Sequence, residues 1–374
     1  MPFADPLALD SSLDFSVHPW GGPASPLVRT AFAAIPERRG YVVRVRDREG
    51  HVGLGEATPL PALFPEDSLE VTHRALGFAS ERQRPASLSA NDLSAWICKL
   101  PEQARAVRFA FESAFIDLRA KRKRTDIASE LTRTPREEIA LARVVGALSA
   151  NDLDVRVAEA VRAGYTTIKV KLGPGDVPGA RWNLERLRTI ASGRVRLRVD
   201  CNGSLEPEAF LRVVPSLIRA DVELVEEPCA PEGLDAALTT GLPVYLDESF
   251  LRNPMAALAT RGIAGVVLKP TLFEAPTTCL RLAASAASRG LGVILSHAFE
   301  GPIALAMARE MAMALPGDQT HGLDDHAALE IFSITAPKLE PTFRRSREGE
   351  LARRGGLQVM DPTSGLEREL SWTA

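Results

Sequence analysis

From about residue 140 onward, short apolar runs recur along the chain, each followed by a stretch with helical spacing. The runs are 141–145, 167–171, 196–200, 222–226, 244–247, 265–269 and 291–296, with a weaker eighth at 320–323. Aliphatic and β-branched residues concentrated in so few positions predict strands covered on both faces, and strands alternating with helices make parallel sheets. Eight such units are what a closed barrel needs. The connecting stretches carry helix signals. In 152–163, Leu153, Val157 and Val161 lie four apart behind an Asn151/Asp152 cap, and Gly164 ends the run. Pro207, Pro254 and Pro276 fall where first helical turns belong.

Before residue 135 the pattern changes. A hairpin-like segment at 40–57 precedes longer helical runs, including 101–123, and predicts a separate α+β unit. The expected division is a capping domain over 1–135 and a barrel over 136–336, with the tail 337–374 joining the first. Within that tail the apolar patch 357–360 is expected to return to the first domain. The Pro- and Gly-rich residues 17–29 predict a mobile loop, and the basic cluster 119–124 a solvated helix end.

Composition narrows the function. A chain of 374 residues with 45% hydrophobic and 25% charged positions can bury a large core and has no disorder signature. Forty-five basic against 48 acidic residues leave a formal charge of -3, too balanced for nucleic acid or an anionic membrane as partner. Cys98, Cys201, Cys229 and Cys279 lie far apart, so reduced thiols are expected rather than a zinc site or a disulfide framework. The first twenty residues hold Asp5, Asp10 and Asp14 and no long apolar run, so cytoplasmic residence is expected. The oligomeric state is not fixed by any of these features.

Five charged positions close successive apolar runs: Lys169/Lys171, Asp200, Glu226, Asp247 and Lys269. From Lys171 the steps are 29, 26, 21 and 22 residues, each one strand–helix unit long. The C-terminal rim of a barrel would therefore gather them, and active sites of barrels occupy that rim. A single charge there has an ordinary explanation, since strands end in solvent. Three carboxylates brought together repel one another unless a hard cation neutralises them, and the absence of His or Cys partners favours magnesium over zinc or copper. Strand alternation aims Lys169 and Lys171 to one side, and likewise Arg198, Asp200 and Asn202. A lysine buried there either pairs with the carboxylates or, with its pKa lowered by neighbouring cations, acts as a base.

These motifs resemble the enolase superfamily, in which a lysine base works beside magnesium that stabilises an enediolate. The likeness rests on Thr167-Ile-Lys-Val-Lys171, Arg198-Val-Asp-Cys-Asn202, Val225-Glu-Glu-Pro228, Leu246-Asp-Glu-Ser249 and Leu268-Lys-Pro-Thr-Leu272. Gly53-Leu-Gly-Glu-Ala-Thr-Pro-Leu-Pro61, Glu226-Glu-Pro-Cys229 and Gly322-Leu-Asp324 extend it toward the o-succinylbenzoate synthases of the muconate-lactonizing-enzyme-like subgroup. The resemblance implies an α/β chain, a modified (β/α)8 TIM barrel of (β/α)7β type with an α+β N-terminal capping domain. It implies Mg2+, for which Mn2+ can substitute, bound by Asp200, Glu226 and Asp247. It also implies a small-molecule carboxylate substrate and syn-dehydration to o-succinylbenzoate in menaquinone biosynthesis. Lys171 would remove the α-proton and then assist loss of hydroxide, while Lys269 stays cationic opposite. Lys169 and Arg198 would steady the carboxylates, with Asn202 beside them. Ser296 and Gly322 would hold the succinyl carboxylate through backbone amides.

His297 departs from the small residue often found at that position; as a base it would need an Asp partner where this chain has Lys269. His321 and His326 lack helical metal spacing and receive no role. Three rival readings stay open. An N-acylamino acid racemase or dipeptide epimerase would use the same two lysines, with Asp324 and Asp325 receiving a substrate ammonium. A Schiff-base aldolase would leave the carboxylates without purpose, and a binding scaffold would have no reason to keep Lys171 and Lys269.

Overall fold

The computed structural model describes residues 13–29, 34–85, 87–193 and 195–326, together with 329, 331, 344–345 and 350–352. Strands Asp14–Arg29, Ala34–Arg46 and Val52–Ala57 form an antiparallel sheet in that order. The long helix Arg105–Arg122 packs on it closely enough that a Cβ at Gly53 or Gly55 would fall 1.9 or 1.8 Å from the carbonyl oxygens of Ala114 or Ala110. Those glycines are therefore a packing requirement. The expected loop at 17–29 is instead part of the first strand. Residues 14–23 pair continuously with 37–46, and the register shifts before Val28. An edge strand tolerates proline because its outward N–H groups need no ladder partner, which is how Pro19 and Pro23 fit.

The second unit is a parallel sheet of seven strands in sequential order. They are Arg143–Ala147, Thr167–Lys171, Arg196–Asp200, Val222–Glu226, Val244–Leu246, Gly265–Leu268 and Gly292–Leu295. Residues 320–323 close the ring. Leu141 bridges His321 and Ser296 bridges Gly322, both parallel, so this short segment joins the first strand to the seventh. The predicted barrel of (β/α)7β type with an N-terminal antiparallel domain is the observed fold. Helices Pro207–Arg219, Pro254–Ala259 and Pro276–Ala287 each begin at the predicted proline. Inward-facing Leu224, Tyr245, Val267 and Ile294 form an apolar cluster, each two residues below a rim position on its own strand.

The units meet through Glu56. Its carboxylate accepts the backbone N–H groups of Gly301 at 2.5 Å and of Ile303 and Ala304 at 3.1 Å each, capping the helix Pro302–Ala314 from the other unit. Arg38 adds donation to the Phe299 and Pro59 carbonyls at 2.9 and 2.7 Å. The basic cluster also differs from expectation. Arg119 is buried against Glu130 at 2.6 Å, Lys121 pairs with Asp117 and Arg122 with Asp47, so ion pairs rather than water satisfy this helix end. Of the tail, strands Arg344–Arg345 and Glu350–Ala352 form a small antiparallel sheet with Glu138–Ala140; the patch 357–360 lies outside the described residues. Among the described residues no helix is long and apolar enough to cross a membrane, and all four cysteines are free thiols.

Candidate active site

Parallel register sets the site. Lys171 stands opposite Asp200, and Asp200 opposite Glu226, at the C-terminal ends of three adjacent strands. Asp247 and Lys269 each follow the last residue of the next two strands. Lys169, two residues below Lys171 and on the same face, reaches up between two acids. Its Nζ lies 3.1 Å from Asp200 Oδ2 and 2.9 Å from Glu226 Oε1. Lys269 Nζ donates to both Asp247 oxygens. Lys171 is treated differently: its Nζ donates to the side-chain carbonyl of Asn202 at 3.0 Å and makes no salt bridge among the described residues. Asn202 sits at φ +48, a left-handed conformation that asparagine tolerates, and donates in turn to Glu248 at 3.2 Å.

Charges follow from these contacts. Burial opposes a charge on Lys169 and Lys269, yet facing carboxylates outweigh it and hold both ammonium groups well above the usual lysine range. Of the two readings open for a buried lysine here, ion pairing is the one these two adopt. Asp200 is lowered, because Lys169 and Lys171 overcome its burial. Glu226 is pushed up to about 7 by burial and by Asp200 and Asp247, against the pull of Lys169.

The same cavity of about 770 Å³ is lined by these lysines together with Asp200, Asp247, Ser296, His297 and His326. All donors offered by Asp200, Glu226 and Asp247 are carboxylate oxygens, chemistry that fits a hard divalent cation. The raised Glu226 fits too, since two of its neighbours leave negative charge that the lysines do not cancel. Lys169 nevertheless sits between Asp200 and Glu226, and Lys269 on Asp247. Among the described residues, the trio of acidic and His side chains with ligand atoms within 4.8 Å of one another is Asp47, Glu49 and His51, at the hairpin turn. Arg122 already pairs with Asp47 and Glu49 there, which leaves little charge for an ion.

Two expected contacts take another form. Arg198 does not reach the carboxylates of the rim: its guanidinium binds Glu223 at 2.7 Å and the Thr320 carbonyl at 2.8 Å, tying the third strand to the closing segment. The amides of Ser296 and Gly322 are also engaged, donating to Leu268 and Leu295 carbonyls at 2.8 Å each. Barrel closure consumes them, so neither is left for a substrate carboxylate. Conversely, Glu227 has a role that the sequence pattern does not assign. At φ +40 it turns its carboxylate to accept the backbone N–H groups of Asp247 at 2.8 Å and Ser249 at 3.1 Å, fixing the start of the loop that carries Asp247. The acidic doublets Glu226-Glu227 and Asp247-Glu248 are the available signal.

Closed parallel strands with lysines and carboxylates gathered on one rim are the frame of a barrel enzyme. The family profile described as "Enolase C-terminal domain-like" matches residues 152–348, and the chain belongs to the enolase superfamily. It is 25% identical over 299 residues to the o-succinylbenzoate synthase of Aliivibrio salmonicida, covering 78% of this chain and 83% of that protein. It is 28% identical over 312 residues to the L-Lys-D/L-Arg epimerase of Methylococcus capsulatus, covering 79% and 85%. The dipeptide epimerase structure from Methylococcus capsulatus, complexed with Mg and the dipeptide L-Arg-D-Lys, superposes with a TM-score of 0.77 at 24% identity, over 92% of this chain and 97% of that one.

Proposed function

We propose that this protein is an o-succinylbenzoate synthase, dehydrating 2-succinyl-6-hydroxy-2,4-cyclohexadiene-1-carboxylate to o-succinylbenzoate, a step that would serve menaquinone synthesis in the cytoplasm. The observation that carries the reading is the inequality of the two lysines. Lys171 rests on a neutral amide, whereas Lys269 is locked onto Asp247. One lysine is placed to move a proton and the other to supply fixed positive charge, the division of labour of a one-base elimination. An epimerase needs both to exchange protons.

Lys171 in its neutral form takes the proton α to the substrate carboxylate, and the electron pair left behind is held by the charge of Lys269. The same Lys171, now an ammonium, returns the proton to the departing β-hydroxyl, which leaves as water while the ring becomes aromatic. Mg2+ bound by Asp200, Glu226 and Asp247 would supply the positive charge facing the substrate carboxylate. Lys169 lies between Asp200 and Glu226, pairs with both, and helps to hold Asp200 below the usual carboxylate range. Asn202 sets the direction of the Lys171 amine.

The second reading is a dipeptide epimerase, supported by the likeness to the Methylococcus capsulatus enzyme. Asp324 weighs against it. That carboxylate already accepts from the Tyr165 hydroxyl at 2.9 Å and pairs with Arg143 at 2.8 Å, while Asp325 pairs with Arg309 at 2.8 Å. Neither acid is left uncompensated for a substrate ammonium.

Absorbance of the purified protein with Mg2+ and the cyclohexadiene tests the proposal. Rapid aromatisation is expected; its absence, alongside deuterium uptake into dipeptides or N-acylamino acids, would replace the lyase by an epimerase or racemase.

A further inference from the structure

The loops after the seventh strand and the closing segment bring His297, Phe299 and His326 together over the cavity. The two imidazole centroids are 4.3 Å apart with planes 36° from parallel, and Phe299 stands edge-on to both, at 4.9 Å from His297 and 5.5 Å from His326. Phe299 holds that place at φ +59, an unfavourable conformation for an aromatic residue, so the surrounding loop enforces it. The polar atoms of the cluster are poorly engaged. Both His326 nitrogens are shut off from solvent with no hydrogen-bond partner among the described residues, a costly state that a rigid core avoids. His297 Nδ1 accepts from the Phe299 N–H at 3.4 Å, which leaves Nε2 to carry the proton. No protein partner for that N–H occurs among the described residues.

The surroundings select the ligand. Burial, then Lys169, Lys269 and Arg309, hold the His297 imidazole neutral, with its pKa brought down to about 3. A neutral N–H donor in a field of cations repels an ammonium and favours an acceptor bearing negative charge. Ser296 and Gly322 have no amide to offer such a group.

We propose that His297, braced by the ring of His326, is the specificity-determining contact for a distal carboxylate of the substrate. The inference rests on the dicarboxylate substrate of the proposed function but not on dehydration itself. Any substrate that pairs an α-proton acid with a second carboxylate uses the same contact.

Calorimetric titration of the Mg2+-loaded protein tests it with two probes: o-succinylbenzoate, and 2-butyrylbenzoate, in which a methyl replaces the distal carboxylate. The wild type is expected to bind the first more tightly by about tenfold or more, the size of one hydrogen bond to a charged group. His297→Phe keeps the ring stack, loses the donor and is expected to erase that preference, whereas His297→Gln keeps a donor and retains most of it. Equal preference in the wild type and the folded His297→Phe variant overturns the inference. If the wild type fails to aromatise the cyclohexadiene and ignores o-succinylbenzoate, N-succinyl amino acids replace the first probe. Loss of their binding in His297→Phe then upholds the contact and rejects only the lyase, while unchanged or absent binding rejects both.

Discussion

Lys171 and Asn202 are joined by a 3.0 Å hydrogen bond from the ammonium to the side-chain carbonyl, across the ends of adjacent strands. A carboxylate in the place of Asn202 would orient the amine equally well but would hold it protonated. Asn202→Asp is therefore expected to move the pH–rate profile to higher pH and to lower kcat at neutral pH by about tenfold to a hundredfold, with little change in KM. Lys171→Ala should abolish turnover while calorimetry still finds Mg2+ binding close to that of the wild type. An unshifted profile in Asn202→Asp, or turnover in Lys171→Ala, would remove Lys171 as the base.

Glu227 touches neither the cavity nor the lysines, yet it fixes the Asp247 backbone. Glu227→Gln puts a donor where two backbone N–H groups point. Its expected result is a Mg2+ affinity weaker by about tenfold to a hundredfold, as for other residues that orient ligands. Titration of Mg2+ with a thermal-shift readout checks this, and wild-type affinity would mean that Asp247 needs no such support.

Glu56 receives three N–H groups at the start of the helix Pro302–Ala314, from across the boundary between the two units. Glu56→Ala leaves these donors buried and unanswered. The cost is expected at about 2–4 kcal/mol, tempered by relief of a buried carboxylate whose pKa burial already raises. Urea denaturation should show it, and a loss below about 0.5 kcal/mol would mean that water replaces the carboxylate without penalty.

His321 makes stability depend on pH. Burial, then Arg198 and Arg136, lower its imidazole to about 3, and its Nδ1 accepts the Leu295 N–H at 3.1 Å. In the unfolded chain the same ring takes a proton near 6.5. Between these values the unfolded state binds more protons, so this residue's contribution is complete above pH 6.5 and declines as the pH falls toward 3. His321→Asn preserves an acceptor but does not titrate there. The melting-temperature gap between wild type and variant should therefore narrow, or reverse, from pH 7 to pH 5, and a gap that widened would contradict the buried neutral imidazole.

Much of the fold and of the rim is legible in the amino-acid sequence, for physical reasons. Strands Thr167–Lys171, Arg196–Asp200 and Val222–Glu226 match the sequence reading to the residue, because each apolar run ends abruptly in a charge that must leave the core. The rim charges follow from the same feature. What is not legible depends on partners distant in sequence. Pro19 and Pro23 signal a loop locally, and only the pairing with 37–46 makes them edge-strand residues. The amides of Ser296 and Gly322 look available until the ring closes and uses them. Arg198 lies on the expected face, but Glu223 and the Thr320 carbonyl claim its guanidinium before any rim carboxylate can. Glu227 requires a left-handed turn that the letters Glu-Glu do not announce.

The bridges Leu141–His321 and Ser296–Gly322 have a consequence for how the chain assembles. Every other neighbour in the ring is separated by one strand–helix unit, whereas the first of these seams must bring together strands from opposite ends of the unit. Loop-closure entropy makes it the last to knit, and until then two bare sheet edges stand open to any passing strand. Amide exchange should accordingly be faster at Ala142 and His321 than at Val170 or Val199, marking the side from which the cylinder first comes apart.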